Sequence, residues 1–75
     1  MNWCVILVPS SSYAIYGQKI LKKHNIQTKL IPVPRLLSSN CGVCIRINAD
    51  AKEQAERALI EKGILFEQIV QLSGI

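Results

Sequence analysis

Residues 44–63, CIRINADAKEQAERALIEKG, hold two hydrophobic periods in succession. Ile45 and Ile47 alternate with Arg46 and Asn48, the period-two pattern of a strand with one buried face. After Asp50 the pattern becomes helical, with Ala51, Ala55, Ala58 and Leu59 forming an apolar stripe, Asp50 and Glu53 a capping-box-like start, and Gly63 the stop. The same strand-then-helix order occurs earlier. WCVILV ends at Pro9, is β-branched and is too short for a helix, so residues 2–8 read as a buried strand. Ser10, Ser11 and Ser12 offer N-cap hydroxyls, and Tyr13, Gly17, Ile20, Leu21 and His24 recur at helical spacing up to Asn25. Thr28 to Val33 is extended, and Pro32 and Pro34, which lack a ladder donor, mark it as an edge strand. It empties into the loop PRLLSSNCG, and Phe66 to Leu72 supplies a fourth strand. The order βαββαβ predicts an α+β, ferredoxin-like single domain spanning 1–75, with a four-stranded antiparallel sheet carrying both helices on one face.

The chain has 75 residues, 49% hydrophobic and 19% charged, which leaves too little chain for a second core. About 60% of the unfolded surface is buried at this length, so the chain must be economically packed or leaned on by a partner. No apolar run approaches the roughly 18 residues of a membrane span, and Met1-Asn2 supplies no basic leader. These features predict a cytoplasmic protein without membrane association. The net charge of +4 is uneven. Lys19, Lys22, Lys23, Lys29, Arg35 and Arg46 precede every acid, while Asp50, Glu53, Glu56, Glu61 and Glu67 all follow. The basic half favours anionic partners or stabilised anions, against the plainer reading of a solvated lysine face.

The predicted topology places the loop between the second and third strands at the same end as the start of the first helix. Cys41 then comes near Ser10, Ser11 and Ser12. It sits before Gly42, where the backbone can bend and leave amides facing outward. A helix N-terminus and Arg35 would both favour its thiolate. Such a thiolate can attack a persulfide sulfur, or hold a terminal sulfur or selenium atom, without a general base. The structural alternative is a small residue filling a gap under Leu36 and Leu37.

The residues VPS, PVPR and SSNCG, followed by a strand, resemble a family of small proteins of unknown function described as putative selenium/sulfur carrier protein-like. The resemblance runs from Val8 to about Val70, and its specific part is Pro34, Arg35, Ser38, Ser39, Cys41 and Gly42. It implies a carrier with Cys41 as the sulfur-bearing residue. The chain departs from the expected pattern at Cys44 and at Leu36-Leu37, so one or two cysteines could serve.

Three further readings stand beside the carrier. Cys41 and Cys44 have the spacing of a CxxC thiol oxidoreductase, but the motif opens a strand rather than a helix, and a disulfide needs Cα atoms about 4.4–6.8 Å apart. A turn at Gly42 would be required. One CxxC is half of a zinc site; Cys4 looks like core and His24 lies at the far end of the helix, so no metal or other cofactor is expected. A scaffold module with incidental thiols is the third. Nucleic acid is not expected, since the third strand has no aromatic to stack a base, and neither paired carboxylates nor a Ser-His-Asp set is assembled.

The expected roles are therefore Cys41 and Cys44 as reacting thiols, with Arg35, Gly42, Ser10, Ser11 and Ser39 stabilising the anion. A carrier is favoured over a turnover enzyme, with donor and acceptor proteins as partners. The first strand is apolar on both sides. Trp3, Val5 and Leu7 alternate with Cys4, Ile6 and Val8, only one set can face the helices, and the other should leave a bare stripe, which predicts a homodimer through that open sheet face or a docking surface.

Overall fold

The computed structural model describes residues 2–34, 37 and 42–73. Strand β1 (Asn2–Leu7) is followed by helix α1 (Ser11–Lys23), β2 (Thr28–Pro32), β3 (Val43–Asn48), a 3-10 turn (Ala49–Ala51), α2 (Lys52–Glu61) and β4 (Gln68–Ser73). The strands form one antiparallel sheet in the order β2-β3-β1-β4, which with two helices is the ferredoxin-like α+β fold. Pro32 lies on an edge strand, as the missing donor requires.

β1 sits in the middle because its side chains on both faces need cover. Cys4, Ile6 and Val8 join Ala14, Leu21, Ile45, Ile47, Ala55, Ala58 and Leu59 in the core between sheet and helices. Val5 and Leu7 point the other way and form a second cluster with Cys44. Here the expectation of a bare stripe is corrected. Val5 and Leu7 are 0% and 1% exposed, because Leu37 of the β2–β3 connection packs against this face along with Ile31, Val33, Val70 and Leu72.

Both helices end by the same device. Ile26 N–H donates to Leu21 O at 3.0 Å and Asn25 N–H to Lys22 O at 3.0 Å, with Asn25 at φ 62°. In α2, Ile64 N–H donates to Leu59 O at 2.9 Å and Gly63 N–H to Ile60 O at 3.1 Å, with Gly63 at φ 70°. These are paired Schellman bonds around a left-handed residue. The helix starts differ from expectation. Ser10 is the N-cap of α1 but makes no side-chain cap bond. The N-cap of α2 is Ala51, because the 3-10 turn absorbs Asp50 and displaces it from the capping position. His24, expected on the apolar stripe of α1, is an exposed C-cap, and Ala14 takes the buried place instead.

Gly17 is where α1 meets the sheet. An added Cβ would lie 2.9 Å from Ile45 Cδ1 and 3.4 Å from Leu59 Cδ2. Gly17→Val should therefore destabilise by about 1–3 kcal/mol through overpacking. Gly63→Ala has open space around it and should lose only about 1 kcal/mol, from the left-handed backbone. Urea denaturation of the two variants checks that order; a larger loss at Gly63 would contradict it.

Candidate functional site

The register fixes which residues share the end of the sheet where α1 begins. Leu7 pairs with Cys44 on one side and Gln68 on the other, and Pro32 pairs with Val43. The β2–β3 connection therefore leaves from the end at which β1 finishes and Ser10 caps α1, the arrangement the topology predicted. Val33 N–H donates to Gly42 O at 3.1 Å, closing the hairpin, and Leu37 N–H donates to Pro34 O at 3.0 Å. Glu67 N–H donates to Leu7 O at 2.6 Å, so the start of β4 is tied to the same end.

Among the sequence candidates, Ser10, Ser11, Gly42 and Cys44 lie at this end of the sheet. Cys41, Arg35 and Ser39 lie outside the described residues. Ser11 is exposed and Ser10 half-buried, at the positive end of α1, whose first turn carries no acid. Gly42 is exposed and, among the described residues, an added Cβ would meet nothing within 4 Å. Its usefulness to a site is an open backbone.

The two described cysteines occupy opposite faces. Cys4 is in the helix-side core and Cys44 in the cluster with Val5 and Leu7, and both are 0% exposed. Burial pushes the Cys4 thiol above its ordinary value, and the charge of Lys52 partly opposes that. Because Cys44 extends from the face away from the helices, its side chain is directed away from the side on which α1 packs.

A second constellation went unread in the sequence. The guanidinium of Arg46 lies over the Trp3 ring, 4.2 Å from its centroid. Alternation assigned Arg46 to solvent; in fact it is half-buried and its Nε is enclosed. The signal was present. Trp3 shares a face with Val5, and Val5 pairs with Arg46, so the two long side chains are diagonal neighbours.

No helix among the described residues is long and apolar enough to cross a membrane. The model of a protein family described as "putative Se/S carrier protein-like" matches residues 3–71. No curated protein and no solved structure matches the chain.

Cys4 and Cys44 should resist thiol reagents in the folded protein and react on unfolding, which counting labelled thiols by mass tests. The raised Cys4 value sets a pH dependence. Below the ordinary thiol value, about 8.5, both folded and unfolded chains keep the proton. Above it the unfolded chain releases the proton first, so stability falls with rising pH until the folded thiol also titrates. Cys4→Ala should flatten that part of the profile in thermal melts; an unchanged slope would assign it elsewhere.

Proposed function

Because the chain belongs to the putative Se/S carrier protein-like family, we propose that it holds a sulfur or selenium atom on Cys41 and hands it to an acceptor protein. The Cys41 thiolate attacks the terminal sulfur of a donor persulfide. The donor's S–S bond breaks, its electrons leave on the donor thiolate, and a persulfide remains on Cys41. With selenium in the terminal place the product is a selenosulfide. The acceptor's thiolate repeats the attack on the outer atom, and the Cys41 thiolate leaves. Each step is an exchange, so no oxidant is consumed.

The observation that carries this reading is the burial of the other two cysteines. Cys4 and Cys44 are both withdrawn into the sheet's two apolar clusters, and exchange chemistry requires access as well as thiolate character. Support for anion stabilisation comes from the α1 N-terminus and the exposed Gly42 at the same end of the sheet. In this reading Arg35, Ser39, the Gly42 amide, Ser10 and Ser11 surround the charged atom. Cys44 as a resolving thiol would release sulfide by closing a disulfide with Cys41, which requires its sulfur to leave the Val5–Leu7 cluster. The chain acts as one carrier domain in the reducing cytoplasm, with donor and acceptor proteins as its partners. A homodimer would cover the half-buried rim Ile31, Val33, Val70 and Leu72 around the closed centre.

Incubation with a persulfide donor, followed by intact-mass and peptide analysis, should add one sulfur to Cys41. Cys41→Ser should abolish loading, while Cys44→Ala should retain it. Equal loading of Cys41→Ser defeats the proposal. Loss of function in either single variant, together with a reversible Cys41–Cys44 disulfide, would favour the oxidoreductase. Unchanged partner binding without either thiol, and no loading at all, would favour a scaffold.

A further inference from the structure

At the end of the sheet opposite Gly42, a pocket of about 530 Å³ is lined by residues including Trp3, Lys22, Ile26, Thr28, Lys29 and Arg46. Its volume falls within the range of small-molecule sites, about 300–1,000 Å³. Three of these side chains are cationic, and none of the lining residues is acidic. They come from three elements: Lys22 from the last turn of α1, Lys29 from β2 and Arg46 from β3, where Lys29 and Arg46 are directly paired.

Such a concentration of one charge repels itself unless an anion answers it. One further atom wants a partner on the Trp3 side. Arg46 Nε is enclosed and makes no hydrogen bond among the described residues, a condition that costs free energy until an acceptor is supplied. Arg46 is also held in place. Its guanidinium stacks on Trp3, 4.2 Å from the ring centroid, which restrains the fork while leaving edge donors for a bidentate oxyanion. The remaining lining joins the apolar Trp3, half-buried, and Ile26, 5% exposed, to the polar Asn25, Gln27 and Thr28.

We propose that this pocket binds a phosphate monoester of a small organic molecule. The phosphoryl dianion sits against Arg46, Lys29 and Lys22, and the organic part lies against Trp3 and Ile26. A dianion matches three cations better than a carboxylate does, and the apolar wall distinguishes an ester from free phosphate. The assignment goes beyond the carrier reading and stands at the other end of the sheet, so Cys41→Ser should leave it untouched.

The test is an NMR titration of the full chain labelled with nitrogen-15, following the Arg46 Nε–H and the Thr28 and Asn25 amides. Phenyl phosphate, inorganic phosphate and phenol are the three probes. Phenyl phosphate should give saturable shifts confined to the pocket and bind about tenfold more tightly than inorganic phosphate, with phenol giving none. Arg46→Gln should abolish binding. Lys29→Gln, at an exposed position, should weaken it while the rest of the spectrum stays unchanged. Lys62→Gln, outside the pocket, should bind as the parent does. Absence of saturable shifts, equal affinity for the two phosphates, saturable phenol binding, or equal weakening by Lys62→Gln would each overturn the proposal.

Discussion

The constraint on which the structure depends is that β1 is apolar on both faces. A strand of that kind cannot lie at an edge or against water. It pairs with β3 and β4 and has dry clusters above and below. The two helices cover one face. Strand neighbours and Leu37 close the other, which in a chain of this size uses a connecting segment as part of the packing. The β2–β3 connection is therefore tied to the sheet at two levels, by the Val33–Gly42 backbone bond and by an apolar side chain between them.

Much of this could be read from the residues. The inward Ile45 and Ile47 of β3, the prolines near the end of β2 and the helix stop at Gly63 each carry a local physical reason, and each operates in the structure as expected. What was not legible depended on neighbours. Asp50 looked like a cap because its spacing to Glu53 was right, but the chain first makes a 3-10 turn, and capping is decided by backbone geometry. Ala14 stood outside the α1 stripe read from the sequence, yet it is buried. Arg46 looked solvated because alternation treats a strand residue as either in or out. A long cationic side chain can instead lie along an aromatic ring and keep only its tip wet.

The site divides in the same way. Which end of the sheet carries the β2–β3 connection followed from topology alone, and the register confirms it. Gly42 is an exposed, open stretch of backbone at that end. The reading of Cys44 as a reacting thiol came from spacing to Cys41, whereas spacing says nothing of which side of a pleat a sulfur takes. The thiol faces the helix-free cluster, at 0% exposure.

The clasp between Val33 and Gly42 has a consequence for how such a chain can diversify. Residues 34–41 begin and end at a fixed gate, so the sheet senses their length only through the entropy of ring closure. That penalty grows slowly, by about 0.6 kcal/mol for each doubling of the excursion. Insertions and rewritten side chains can accumulate there with little effect on the scaffold, provided one apolar residue still lands on the patch that Leu37 covers. Recognition of a new client would then evolve between two stationary posts, with a greasy footing and the sulfur-bearing cysteine as inherited obligations.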